Sequence, residues 1–94
     1  MNDVIKKDIQ LKVTAYFNNS ITISDEWFCI IRDTIQEFKG TAVELYITSR
    51  YQRKKTPRET SREIYISRRT GYNYNDKFIT AIALKACYRQ LIQI

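Results

Sequence analysis

The chain has 94 residues, of which 44% are hydrophobic and 28% are charged, and its formal net charge is +6. This composition is too apolar for intrinsic disorder, and no apolar run approaches the roughly 18 residues that a membrane-spanning helix needs. The first twenty residues hold no apolar stretch typical of a signal peptide, so we expect a cytoplasmic protein. We expect one domain over residues 1–94, frayed over residues 1–7.

The residues that most often carry catalysis are missing from the sequence. Histidine, the commonest general base and metal ligand, is absent. The cysteines Cys29 and Cys87 match no zinc or redox spacing, and we expect both to be small core residues. The nearest candidate for a metal-dependent nuclease is Asp33 with Glu37 and Lys39, whose spacing favours one solvated helix face. We therefore expect no enzymatic activity, no cofactor and no metal.

The first element is predicted to be a strand. From Asp8 to Phe17 apolar and polar residues alternate, and a period of two is typical of a half-buried strand. The asparagines at 18 and 19 favour a turn. Residues 20–23 then form either a short return strand or the approach to a helix. The predicted inward side chains are Ile9, Leu11, Val13, Ala15 and Phe17.

A helix is predicted next, over residues 25–39. Ser24 is a good N-cap, and Gly40 is a typical helix stop. Between them Trp27, Ile31 and Phe38 recur at helical spacing, so they are expected to face the core.

Two further strands are predicted, over residues 42–51 and 62–69, because apolar and polar residues alternate in both. Residues 52–61 are polar, charged and broken by a proline, so we expect a loop. Together they form a long-looped β-hairpin with a basic tip.

The last helix is predicted over residues 76–90, after a turn around Gly71. Its apolar residues cover more than half of its circumference, so it should be mostly buried. The order β-α-β-β-α predicts an α+β two-layer sandwich, with two helices on one face of a mainly antiparallel sheet. This order is compatible with a ferredoxin-like core that lacks its last strand.

The excess charge is concentrated in the predicted hairpin. Residues 50–69 carry eight basic and two acidic side chains, a net +6, and the rest of the chain sums to zero. Such a segment attracts polyanions, and arginine matches the geometry of phosphate. The eight predicted contacts are Arg50, Arg53, Lys54, Lys55, Arg58, Arg62, Arg68 and Arg69.

Three tyrosines are expected on the outward face of the sheet, one from each strand. Tyr16, Tyr46 and Tyr65 would lie among basic and hydroxyl side chains, where aromatic rings can stack on unpaired bases. Tyrosine is also a good strand former, so the same residues could simply cover the sheet.

The sequence thus favours a non-catalytic nucleic-acid-binding module, with RNA or single-stranded DNA preferred over specific duplex DNA. The alternative is a small phage- or plasmid-type inhibitor or adaptor that docks its basic hairpin on an acidic or nucleic-acid-binding surface of a larger complex. A second structural interpretation is a helix-turn-helix over residues 63–84, with the turn at Gly71 and Tyr74–Leu84 as the reading helix. The apolar end Leu91–Ile94 suggests a homodimer contact through the last helix.

Overall fold

The computed structural model describes residues 2–19 and 22–92, and within these ranges it contains helices and no strand. The predicted α+β sandwich is therefore wrong. The elements are α1 (Asp3–Phe17), α2 (Asp25–Glu37), α3 (Ala42–Ile47), a π-helical turn (Thr48–Gln52), α4 (Pro57–Glu63) and α5 (Arg68–Tyr88).

The first predicted strand is helix α1. Its alternation is misleading because Ile9, Val13 and Phe17 are four residues apart, a spacing that fits both a strand and one helix face. Ile9 and Val13 are fully buried, whereas Leu11, which alternation places inward, is 69% exposed. Asn2 caps the helix by accepting a hydrogen bond from the Val4 N–H (2.7 Å). The pattern of buried residues in α1 therefore follows the helical spacing of four residues and not the strand period of two.

The second predicted strand forms α3 and the π-helical turn. The Thr41 hydroxyl caps α3 by accepting a hydrogen bond from the Glu44 N–H (3.4 Å). Tyr46, predicted to face outward, is buried, and Leu45, predicted to face inward, is 58% exposed. These two residues are exchanged relative to the prediction because a helix turns by about 100° per residue, whereas successive strand residues point to opposite faces.

The predicted β-hairpin is also absent from the described residues. The expected loop at 52–61 contains most of α4, which begins with a capping box: the Thr56 hydroxyl accepts from the Glu59 N–H, and the Glu59 carboxylate accepts from the Thr56 N–H. Pro57 occupies the first helical turn, where its missing N–H leaves no unpaired donor. The expected strand at 62–69 is divided between α4, a turn and α5.

Both predicted helices exist. The helix predicted at 25–39 is α2, capped by Ser24 as expected. The last helix is longer than predicted, since α5 begins at Arg68, eight residues before the expected start. Gly71 lies inside this helix and not in a turn. The segment predicted at 20–23 lies partly outside the described residues.

Helix α5 forms the centre of the core. Phe78, Ile79 and Ile82 on α5 are fully buried and pack in one apolar cluster with side chains of α1, α2 and α3. A buried hydrogen bond also joins the π-helical turn to α5, since the Tyr51 hydroxyl donates to Asn75 Oδ1 (2.5 Å). Burial raises the pKa of Tyr51, so this hydroxyl stays a donor throughout the physiological range. These contacts pack α5 against α1, α2, α3 and the π-helical turn.

Candidate nucleic-acid interface

Helices α4 and α5 form a helix-turn-helix unit. The turn comprises residues 64–67, and the Ile66 N–H donates back to the Ser61 carbonyl (3.0 Å) across it. Ile64 and Ile66 are partly buried against the core. Between them Tyr65 is 95% exposed and adopts a left-handed conformation with φ of +60°. The Ile-Tyr-Ile pattern that predicted a strand therefore belongs to a turn, in which Ile64 and Ile66 pack on the core and Tyr65 points to the solvent.

Small residues let the two helices approach closely. Ser61 on α4 is buried, and Gly71 on α5 lies against it. A β-carbon at position 71 would stand 2.9 Å from Ser61 Oγ. The contact fixes the direction of α5 relative to α4. The alternative helix-turn-helix over residues 63–84, with its turn at Gly71, is therefore wrong, because residues 68–88 form one continuous helix.

The start of α5 presents a polar face to the solvent. Ser67 caps the helix by accepting a hydrogen bond from the Thr70 N–H (3.1 Å). Arg68, Arg69, Tyr72 and Asn73 are exposed on the first two turns. The unpaired N–H groups of a helix N-terminus add a partial positive charge to this end of α5. The face thus combines cations with hydrogen-bonding side chains that can contact base edges.

Two further exposed arginines lie on α4, the helix before the turn. Arg58 and Arg62 are exposed and four residues apart, so they share one side of the helix. Neither they nor Arg68 and Arg69 form an ion pair with any residue that the structure describes. We refer to Arg58, Arg62, Arg68 and Arg69 as the arginine face. Their charges remain available for an external anion.

Two of the predicted contact residues are instead ion-paired within the molecule and share one carboxylate. Arg53 and Lys55 both pair with the carboxylate of Glu63, Lys55 at 2.8 Å, and the Ser49 hydroxyl donates to the same carboxylate (2.9 Å). The hydrogen bond from Lys55 lowers the pKa of Glu63 most, followed by the bond from Ser49. These ion pairs and this hydrogen bond join the segment before α4 to the end of α4. Both cations are structural in this arrangement.

The other two cations of the segment behave differently from each other. The Arg50 guanidinium donates to the Lys55 carbonyl (3.1 Å) and lies over the ring of Tyr51, 5.3 Å from its centroid. Lys54 is exposed in a left-handed conformation after the π-helical turn. The structure therefore divides the eight predicted contacts into the four of the arginine face, the ion-paired Arg53 and Lys55, the hydrogen-bonded Arg50 and the exposed Lys54.

The three predicted stacking tyrosines do not share a surface. Tyr16 is half-buried on α1 against Phe28 (4.9 Å between ring centroids), Tyr46 is buried in the core, and Tyr65 lies in the turn. Tyr65 and Tyr72 are the exposed aromatic residues nearest the arginine face in the sequence, each three residues from one of its arginines. Ser67, followed three residues later by Thr70, marked the start of this helix in the sequence.

The acidic residues considered for a nuclease are engaged in ion pairs. Asp33 pairs with Arg32 (3.3 Å), and Glu37 pairs with Lys85 of α5 (2.6 Å). Within residues 2–19 and 22–92 no group of three or more acidic or cysteine side chains could hold a metal ion. Cys29 is partly buried as a free thiol, whereas Cys87 is exposed, so the prediction that both are core residues is wrong for Cys87.

None of the described helices has both the length and the hydropathy required to cross a membrane. The pocket-like surfaces of the molecule are instead shallow grooves beside α5, of about 340, 490 and 660 Å³, and a smaller apolar one of about 150 Å³.

No protein-family model, curated protein or solved structure matches the chain.

Proposed function

We propose that the protein binds double-stranded DNA, without catalysis, by inserting the start of α5 into the major groove. The observation that carries this proposal is the arginine face itself: four exposed, unpaired arginines on the two helices of a helix-turn-helix unit. In such units the N-terminal residues of the second helix contact base edges, while the first helix crosses the phosphate backbone. The exposed residues of α4 and α5 have the chemistry that each of these positions requires.

The two helices would then divide the contacts. Arg68, Arg69 and Asn73 of α5 would contact bases, because arginine pairs with guanine and asparagine with adenine through two hydrogen bonds each. Arg58 and Arg62 of α4 would neutralise phosphates and set the orientation of the protein.

Duplex DNA now replaces the single strand favoured by the sequence, for a structural reason. The preference for single strands rested on a sheet face with three tyrosines, and the described residues contain no sheet. An α-helix fits the major groove of B-DNA, whereas the major groove of an RNA duplex is too narrow for side chains to read. The fixed orientation of α5 against α4 suits a regular duplex better than a flexible strand.

The test is a fluorescence-anisotropy titration of one mixed-sequence DNA duplex, its separated strands and the RNA duplex of the same sequence. We expect the DNA duplex to bind most tightly. For the two phosphates that Arg58 and Arg62 neutralise, the affinity should fall with a log-log salt slope of about −2 or steeper. Equal or tighter binding to single strands, or an affinity insensitive to salt, would contradict the proposal. The second outcome would favour the alternative in which the arginine face docks on an acidic protein.

A further inference from the structure

The two ends of α5 have different surroundings. After its C-terminal end, Leu91 and Ile92, two of the apolar residues that suggested a homodimer, pack on the core; residues 93–94 lie outside the described ranges. Beside its first turns, a groove of about 340 Å³ lies between α5, α1 and the π-helical turn. The DNA contacts proposed above do not use this groove, and its volume is typical of a small-molecule site.

Two nearly buried side chains bring unpartnered hydrogen-bonding groups to this groove. Tyr46 is 1% exposed and Asn75 is 6% exposed, and both line the groove. Neither the Tyr46 hydroxyl nor the Asn75 amide nitrogen forms a hydrogen bond with a residue that the structure describes. Both atoms reach the surface of the groove, because among the described residues only Ser61 Oγ is both unpartnered and fully enclosed. Since buried polar groups nearly always have a partner, these two groups point to a ligand.

The amide of Asn75 is oriented by its neighbours. Its Oδ1 accepts from the Tyr51 hydroxyl (2.5 Å), so its nitrogen is the group that can donate into the groove. Gln10, also in the wall of the groove, donates to the same hydroxyl (3.5 Å). Burial raises the pKa of Tyr46, with Arg50 acting in the opposite direction, so the Tyr46 hydroxyl is protonated at neutral pH. The groove therefore presents two neutral hydrogen-bond donors.

The wall around these donors is positively charged. Lys6, Lys7 and Arg50 line the groove, and Asp3 is the one acidic side chain in its described wall. Lys6 is paired with Asp76 (2.5 Å), whereas Lys7 forms no ion pair within residues 2–19 and 22–92. The Arg50 guanidinium uses one nitrogen on a backbone carbonyl and keeps its other N–H groups. Two cations and two neutral donors are thus available to one anion.

We propose that this groove binds a phosphate ester of nucleotide size, whose phosphate is held by Lys7, Arg50, Tyr46 and Asn75. A phosphate monoester offers more acceptor oxygens than a carboxylate, and its charge of about −1.5 to −2 at pH 7 matches the two available cations. Arginine also fits the geometry of phosphate. The remainder of the ligand would lie toward Tyr72, whose ring lines the groove, is 49% exposed and can stack on a base.

The ligand is tested by equilibrium dialysis of the whole chain against adenosine monophosphate (AMP) and against adenosine, at constant ionic strength. We expect AMP to bind at least about tenfold more tightly than adenosine, because a hydrogen bond to a charged group contributes about 1.5–3 kcal/mol. Inorganic phosphate should compete with AMP. Adenosine bound as tightly as AMP, or no AMP bound at millimolar concentration, would overturn the inference.

The site is tested by Tyr46→Phe, which removes the hydroxyl and keeps the ring that packs against Gly71. The stability to urea should not fall, because the hydroxyl has no partner among the described residues, whereas the affinity for AMP should fall about tenfold. The control is Tyr74→Phe, which removes a hydroxyl from a half-buried tyrosine of α5 outside the groove. Equal affinities of the two variants for AMP would show that the groove is not the site.

The role of charge is tested by Lys7→Gln, with Lys39→Gln as the control at another exposed lysine, after α2. Lys7→Gln should weaken AMP binding several-fold and leave adenosine binding unchanged, and the control should change neither. Equal weakening by the two variants would mean that only the total charge attracts AMP, contrary to the inference.

A free nucleotide and the backbone of a nucleic acid offer the same phosphate chemistry, and a competition experiment distinguishes them. The DNA duplex is titrated with and without saturating AMP at constant ionic strength. Unchanged duplex affinity would identify the ligand as a free phosphate ester. Displacement of the duplex would assign the phosphate to the DNA backbone, and Tyr46→Phe must then weaken duplex binding as well. A protein that binds AMP but no duplex would contradict the proposed function and still support the groove as a phosphate site.

Discussion

The α-carbon of Gly71 lies directly against the ring of Tyr46. A β-carbon at position 71 would stand 2.8 Å from Cε2 of Tyr46 and 2.9 Å from Ser61 Oγ. Because Gly71 is inside a helix with an ordinary φ, the glycine is needed for this close approach and not for its conformational freedom. The start of α5 therefore packs against both α3 and α4, and this packing sets the position of the arginines on α5.

Replacing Gly71 should therefore destabilise the protein even though alanine is the better helix former. Gly71→Ala gains about 1 kcal/mol of helix propensity, but the clash with a buried ring costs about 1–3 kcal/mol. We expect a net loss of up to about 2 kcal/mol of unfolding free energy, measured by urea denaturation. Thr80→Ala, at an exposed position of the same helix, is the control and should be neutral or slightly stabilising. A Gly71→Ala variant more stable than the wild type would show that the contact with Tyr46 is looser than described.

A glycine substitution at the exposed turn residue Tyr65 should, in contrast, stabilise the protein. Its left-handed backbone costs a non-glycine residue about 1–2 kcal/mol, and the greater unfolded-state entropy of glycine costs about 0.5–1 kcal/mol. Tyr65→Gly should thus raise the unfolding free energy by about 0.5–1 kcal/mol, because the exposed ring contributes little packing. Tyr65→Ala, which removes the same ring but keeps a β-carbon, should show no such gain. Equal stability of the two variants would argue against a strained turn.

Acid should loosen the contact between α4 and the segment before it through Glu63. Because Lys55, Ser49 and Arg53 hold the pKa of Glu63 below its usual range, its contribution to stability is fully present above the unfolded-state value near 4.5. That contribution is lost as the pH falls through the lower folded-state pKa. We expect Glu63→Gln to be less stable than the wild type at pH 7, with the difference vanishing in acid. A difference that stays constant across a pH series of denaturation curves would contradict this linkage.

The sequence allowed α2 to be predicted but not α1, and the spacing of apolar residues explains why. In α2 and at its C-cap, Trp27, Ile31 and Phe38 repeat only at helical intervals. In α1 Ile9 and Val13 satisfy both periods, and the choice between helix and strand depended on Leu11, which is exposed. The sequence alone does not say which of several leucines lies outside the core.

The signals for the starts of α4 and α5 are present in the sequence, but the alternation of apolar and polar residues favoured strands instead. Thr56 followed by Pro57 and Glu59 is a typical helix start, and Ser67 is a good N-cap. The location of the positive charge was also readable. The sequence did not show which of these cations are paired within the molecule, because the pairing of Arg53 and Lys55 with Glu63 depends on tertiary contacts.

The most direct measurement of the central claim is duplex DNA binding by Arg68→Ala/Arg69→Ala at several salt concentrations. The matched control is Arg32→Ala/Lys39→Ala, which removes the same charge from exposed positions on and after α2. We predict that the α5 variant binds at least about tenfold more weakly because it loses two base contacts, and that its salt slope stays close to that of the wild type because Arg58 and Arg62 still neutralise phosphates. The control should keep nearly the affinity and the slope of the wild type. Equal losses in the two variants would mean that the total charge, and not the arginine face, accounts for binding.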